Sequence, residues 1–161
     1  MNSNSLRLMS DQFKNREIEK YYTAWLLSAP PQEEGRIELP IKRHPVDRLK
    51  MTVHEHGKMA VTVYRLLKVI LSKKGRKYSL VDINIETGRT HQIRVHMAHL
   101  KCPVVGDPIY SRSSKEFEKK YGLLLFARRI VFKHPLTGKK MDFELELPER
   151  FIKFEKNCIN L

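Results

Sequence analysis

The chain reads as an α+β fold, a mixed and mainly antiparallel sheet with a few packed helices, and three observations carry that reading. Several segments alternate apolar and polar residues at a period of two, as half-buried strands do. The segments are joined by short turns, His56-Gly57 and Ser72-Lys73-Lys74-Gly75-Arg76-Lys77 among them, so consecutive strands pair as hairpins. Helical periodicity is confined to short pieces that Gly or Pro stops.

Taken in order, a helix ending near Arg16 leads to a strand from Glu19 to Ser28. Tyr22, Ala24 and Leu26 alternate there with Tyr21, Thr23 and Trp25, which suits a sheet covered on both faces. Pro30-Pro31 ends it. A basic connection over 42–50 precedes a strand at about Met51 to Glu55, and His56-Gly57 turns the chain into a long strand, Met59 to Ser72. The second turn returns it over Tyr78 to Glu86, with Val81, Ile83 and Ile85 on one face. Ile93, Met97 and Leu100 then recur at helical spacing until Pro103, so 91–100 is a short helix with Thr90 as its N-cap. Ser113 and Glu116 form a capping box for a further short helix that Gly122 stops. Leu123 to Lys133 and Lys140 to Leu147 form a hairpin around Thr137-Gly138. In its second strand Met141, Phe143, Leu145 and Leu147 alternate with Asp142, Glu144 and Glu146, one face core and the other wet. Pro148 opens a terminal helix to about Asn157.

The 31 Lys and Arg against 18 Asp and Glu leave a formal net charge of +13, which favours polyanionic partners. The 161 residues suffice for one domain, with no repeat or composition break to divide them. The longest apolar stretch, Val61 to Leu71, is broken by Arg65 and Lys68, and the N-terminus is polar, so no membrane span or signal peptide is expected and the location is cytoplasmic. Cys102 and Cys158 are too few for a disulfide framework. The spacing of His91, His96 and His99 matches no zinc pattern; His91 and His96 read as structural hydrogen-bonders, and no metal is expected.

Residues 87–110 carry the most chemistry. Arg89 and Arg94 stand just before and within the first turns of the 91–100 helix, where free amides and the helix dipole favour an anion. Two guanidiniums there call for a phosphate or a carboxylate to complete the site.

The segment Thr87-Gly88-Arg89-Thr90-His91-Gln92-Ile93-Arg94-Val95-His96, followed by Gly106-Asp107-Pro108-Ile109-Tyr110, resembles the signature of the RluA-type pseudouridine synthases. Lys20 to Ala24 resembles the family's K-x-Y-x-A strand, Lys50 to Thr62 its K-M-x-V, G-K-x-A-x-T hairpin, and His134 to Gly138 its H-P-x-T-G turn. The resemblance runs from about residue 6 to 151. One departure is Leu125-Phe126-Ala127, where members often carry L-H-A. The resemblance implies a pseudouridine-synthase-like fold and isomerisation of uridine in structured rRNA or tRNA, with no cofactor. By the same pattern Tyr22 stacks on the extruded base, Ile93 walls the pocket, and Arg94 keeps the family's catalytic Asp ionised. Arg89 and the run Lys73, Lys74, Arg76 and Lys77 become RNA-backbone contacts.

The family's catalytic Asp lies in an H-R-L-D segment ahead of the first helix, and no H-R-L-D occurs in these residues. Asp47, in His44-Pro45-Val46-Asp47-Arg48-Leu49, has similar letters in a connecting loop and reads as a turn-former. The resemblance thus implies a single, N-terminally truncated domain, the C-terminal two-thirds of a catalytic domain, inactive alone. Two functions compete: a synthase whose nucleophile is supplied elsewhere, and a catalytically dead RNA-binding or scaffold protein. A missing strand would leave an open sheet edge and an Arg94 without its carboxylate. A homodimer, a complementing N-terminal fragment or a substituted partner for Arg94 is the expected remedy.

Overall fold

Period-two alternation becomes one seven-stranded sheet in the computed structural model, which describes residues 3–111 and 115–160. The strands are β1 (Glu19–Leu26), β2 (Glu34–Arg43), β3 (Met51–Val53), β4 (Lys58–Leu71), β5 (Lys77–Ile85), β6 (Leu125–Lys133) and β7 (Lys140–Glu144). They lie in the order β3-β2-β4-β5-β1-β6-β7, and each neighbouring pair is antiparallel. Four helices accompany them: α1 (Ser3–Lys14), α2 (Gln92–His99), α3 (Lys115–Tyr121) and α4 (Glu149–Asn160).

Because successive strand residues point to opposite faces, the central strands feed two cores. On one face Tyr22, Ala24 and Leu26 of β1 join Val81, Ile83 and Ile85 of β5 against Ile93 and Met97 of α2. On the other, Trp25, Tyr78 and Leu80 meet Phe117 and Tyr121 of α3 and Phe151 and Phe154 of α4. Phe154 is the hub of that second core, its ring centroid 5.3 Å from Trp25 and 5.4 Å from both Tyr78 and Tyr121. Phe126, the residue that departs from L-H-A, packs here against Phe151.

Several elements differ from the sequence expectation. β2 is a ten-residue strand where none was read. Ile37, Leu39 and Ile41 do alternate, but Pro40 argues against a strand; it is tolerated because β3 pairs only with Ile41 to Arg43, leaving most of β2 an edge. β7 stops at Glu144, and its apolar face is not core. Phe143 is 51% and Leu145 60% exposed, because β7 is the last strand of the sheet; Phe143 stacks on Phe132 of β6. α2 starts at Gln92, not at His91, and Thr90 does not cap it. The N-cap is His91, in left-handed conformation with no side-chain cap bond. Ser113, the expected capping-box residue, lies outside the described residues, whereas Gly122 ends α3 at φ +67°.

α1 is anchored by one side chain. The Gln12 amide donates to the Lys133 carbonyl at 2.8 Å and accepts the Lys133 N–H at 3.1 Å, as a neighbouring strand residue would. The helix then closes with Glu17 N–H donating to the Gln12 carbonyl and Arg16 at φ +61°. Glycine ordinarily fills that left-handed position, and a side chain there costs about 1 kcal/mol.

The loop after α2 is strapped to β1: Leu27 N–H donates to the Pro103 carbonyl and Val105 N–H to the Trp25 carbonyl. Gly106 follows at φ +74°, and a Cβ placed there would lie 1.9 Å from the Gly122 carbonyl oxygen. Gly75, at φ +75°, faces open space. Gly106→Ala is therefore expected to lower the unfolding free energy by more than about 3 kcal/mol and Gly75→Ala by about 1 kcal/mol, measured by urea denaturation. Equal costs would mean that conformation alone, and not the close approach to Gly122, constrains Gly106.

Candidate active site

β5 delivers Thr87, Gly88 and Arg89 to α2, and Gln92 fixes the handover. Its side-chain oxygen accepts the Thr87 hydroxyl at 2.7 Å and the Arg89 N–H at 3.0 Å. Its amide nitrogen donates to the Val61 carbonyl and to the Thr62 hydroxyl. Thr62 passes the chain on to His96 Nδ1 at 2.9 Å, and His96 Nε2 donates to the Leu39 carbonyl at 3.2 Å. A carbonyl only accepts, so His96 is the neutral Nε2–H tautomer. Burial agrees, pushing its pKa below the ordinary histidine value against the opposing pull of the Leu39 carbonyl. Gln92 and His96 are buried, yet every polar group of this network is paired, the condition for such groups to lie in a core. They set the rotation of α2.

That rotation turns Ile93 to the sheet and Arg94 to the loop. Arg94 Nε donates to Asp107 Oδ2 at 2.8 Å and Nη2 to Asp107 Oδ1 at 2.7 Å, a two-pronged pair. The Arg94 side chain is 11% exposed and that of Asp107 wholly buried. Asp107 Oδ1 also accepts the Ile109 and Tyr110 N–H groups, both at 2.9 Å. Burial alone would raise the Asp107 pKa; Arg94 and the two amides outweigh it and hold the carboxyl below the usual aspartate range. Tyr110 supports the pair from beneath, its ring centroid 5.0 Å from the guanidinium carbon. The Tyr110 hydroxyl accepts the Met51 N–H at 2.8 Å and meets His91 Nδ1 at 3.0 Å. Arg94 thus has a carboxylate partner within the chain. In the sequence Asp107 stands out only as a letter of the G-D-x-x-Y motif. Its signal was the G-D-x-x-Y turn, an Asp placed to accept amides two and three residues on.

Tyr22 and Ile93 belong to the same core: Tyr22 packs half-buried against the cluster that contains Ile93. Burial raises the Tyr22 phenol above its ordinary pKa, so it is neutral and able to donate a proton. Arg94 is the next residue along α2. Arg89 lies at the start of the same helix, its Nε donating to the Met59 carbonyl at 3.2 Å.

Lys73, Lys74, Arg76 and Lys77 are elsewhere. They occupy the β4–β5 turn, at the opposite end of the nine-residue β5 from Arg89, about 27 Å along the strand. No single small site holds both groups. Asp47 is a turn residue, its carboxylate accepting the Leu49 N–H at 3.0 Å. Among the described residues no three His, Cys, Asp or Glu side chains are grouped to hold a metal, and no helix is long and apolar enough to cross a membrane.

The Arg94–Asp107 pair has a defined pH signature. A carboxyl whose folded pKa is depressed stabilises the fold in full above its unfolded value, about 3.9, and that contribution is lost as pH falls through the folded value. Asp107→Asn leaves the Arg94 charge buried without its counter-ion, and at pH 7 is expected to cost about 3 to 5 kcal/mol by urea denaturation. The gap between parent and variant should close as pH drops below about 3.9, where the parent also loses the charge. A gap that stayed constant down to the acid limit would assign the loss to packing instead.

Comparison with known proteins follows the same lines. A family model described as RNA pseudouridylate synthase matches residues 1–99. An uncharacterized RNA pseudouridine synthase of Chloroflexus aurantiacus is 41% identical over 146 residues, covering 89% of this chain and 43% of that protein. Ribosomal large subunit pseudouridine synthase D of Xanthomonas campestris is 38% identical over 150 residues, covering 86% of this chain and 44% of its own. The chain therefore spans less than half the length of these relatives. Among solved structures, human RNA pseudouridylate synthase domain containing 1 superposes with a TM-score of 0.81 at 26% identity, over 98% of this chain and 65% of that one. The matched motifs, the relatives and the shared fold agree, and the chain belongs to the RluA-type RNA pseudouridylate synthase family.

Proposed function

We propose that this chain supplies the base-holding and cation-bearing part of an RNA pseudouridine synthase acting on uridine in structured rRNA or tRNA in the cytoplasm. The observation that carries the reading is that Tyr22 packs on the core cluster containing Ile93, while Arg94, the next residue of α2, is fixed by Asp107. The reaction cleaves the bond from ribose C1′ to uracil N1, turns the base, and forms a bond from C1′ to C5, the C5 hydrogen leaving as a proton and N1 taking one up. An extruded base needs an aromatic platform and an apolar wall, which Tyr22 and Ile93 provide. The neutral phenol of Tyr22 is suited to moving a proton late in the sequence. Arg94 engages Asp107 through Nε and Nη2, leaving Nη1 to face a second carboxylate.

That second carboxylate is not Asp107. Asp107 is wholly buried, and both of its oxygens are occupied by Arg94 and by backbone amides, so it orients Arg94 and is not a nucleophile. The sequence contains no H-R-L-D, and on this reading the 161 residues alone do not isomerise uridine. Arg89 holds RNA backbone near the base, and Lys73, Lys74, Arg76 and Lys77 contact it at the far end of β5. Phosphate contacts of this kind position RNA without reading its sequence.

RNA carrying tritium at uridine C5 tests the reading, because each isomerisation releases the label to water. The purified chain is expected to bind this RNA and release no tritium. Joined in frame to a segment bearing H-R-L-D, it is expected to release label, and Tyr22→Phe should slow that release by about 100-fold with RNA affinity unchanged. Release by the 161 residues alone would remove the need for a further carboxylate; no release after joining would favour the RNA-binding scaffold. Binding should weaken steeply with salt, and Arg89→Ala should lower the slope of log affinity against log salt by about one. A flat salt response would overturn the RNA assignment.

A further inference from the structure

Beside the base site, where the end of α1 meets the start of α2, lies a cleft of about 380 Å³. Four cations line it, Lys14, Arg16, Lys20 and Arg89, against one carboxylate, Glu86. Glu86 offsets them only in part: its charge is felt by Arg16, but both of its oxygens are bound by Arg36 from outside the cleft. Among the described residues none of the four cations has a carboxylate within 4.0 Å. Lys20 is half-buried, and burial lowers its pKa. Phe13, at the rim, is 53% exposed. Unpaired cations around a concavity with an exposed aromatic ring are the two components of a single-stranded nucleic-acid site.

A bland reading holds that Lys14 and Arg16 merely complement the negative end of α1. Yet the Asp11, Gln12 and Phe13 carbonyls already accept the Asn15, Glu17 and Arg16 N–H groups. Nor does a helix end account for Arg16 itself, which keeps a left-handed backbone where glycine would be free of strain. What the arginine adds is a guanidinium in the cleft. Lys20 and Tyr22 lie on the same face of β1 two residues apart, about 7 Å along the strand.

We propose that this cleft is a phosphodiester site for a single-stranded stretch of the substrate RNA, one phosphate lying among Arg16, Lys20 and Arg89 and the neighbouring base against Phe13. The assignment rests on the RNA reading above and adds where, beside the target uridine, the strand is held. It also gives Arg16 a role that folding does not require.

The test measures anisotropy of a short fluorescein-labelled single-stranded RNA over a range of salt, with thermal unfolding recorded for each protein. Arg16→Gly is expected to leave the melting temperature unchanged or raised, to weaken binding about 5- to 10-fold at low salt, and to lower the salt slope by about one. Phe13→Ala is expected to weaken binding about 10-fold with the slope unchanged. Lys153→Ala, which removes one exposed charge from α4, is expected to alter neither. A parent chain that binds RNA while Arg16→Gly and Phe13→Ala bind equally well overturns the cleft and leaves the RNA reading standing. A parent that binds no RNA overturns both. Loss with Arg16→Gly but not with Phe13→Ala would keep the phosphate contact and reject the base contact.

Discussion

A guanidinium and a carboxylate, Arg94 and Asp107, meet almost out of water between α2 and the loop at 103–110. Neither charge could be buried alone, since desolvating one ion costs several kcal/mol that only its partner and further hydrogen bonds offset. The pairing therefore makes α2 and the loop one unit. The loop is already fastened to β1 through Pro103 and Val105, so the unit as a whole is indexed to the strand that carries Tyr22. Tyr110 extends it to the start of β3 by accepting the Met51 N–H. Positions far apart in sequence are thereby set to within hydrogen-bond tolerances of one another.

Apolar packing would not orient α2 by itself. Its buried residues are Gln92, Ile93, Val95, His96 and Met97, so polar and apolar side chains share the inward side. The relay from Thr87 through Gln92 and Thr62 to His96 and the Leu39 carbonyl ties that side to β2, β4 and the end of β5. Directional bonds in a low-dielectric core penalise a small rotation more sharply than dispersion does, because each broken bond leaves a buried group unsatisfied. Two systems thus hold one eight-residue helix: a neutral relay beneath it and an ion pair at its side.

Sequence reading succeeded where a local pattern and the tertiary environment agree. β1, β4 and β5 were legible because their alternation is the division between two cores. β2 was obscured by Pro40, whose missing N–H matters only in a strand paired on both sides. β7 misled in the opposite direction. Met141, Phe143 and Leu145 have the rhythm of a buried face, but nothing in the local sequence says that the strand stands last in the sheet with no helix over it. The partner of Arg94 was out of reach for a different reason. Any of the chain's carboxylates could have served, and only the turn at Gly106 brings Asp107 under α2. How far Arg89 stands from the 73–77 turn follows from the length of β5, which puts them at opposite ends of that strand.

The same contrast governs the charge. A formal excess of +13 describes the chain as a whole but not where an anion would settle. On the sheet and its rim Arg36 pairs with Glu38 and Glu86, Arg65 and Arg128 lie near Asp82, Arg128 reaches Glu144, and Arg129 holds Asp142. Pairs this exposed contribute little stability, but they cancel locally and leave no field to attract a phosphate. The cations around the α1–α2 cleft are not matched in that way, so the potential there is not cancelled within a few ångströms. A concave wall of low dielectric concentrates it further. That uncancelled potential lies at the end of β1 that carries Lys20, and Tyr22 is the next residue on that face.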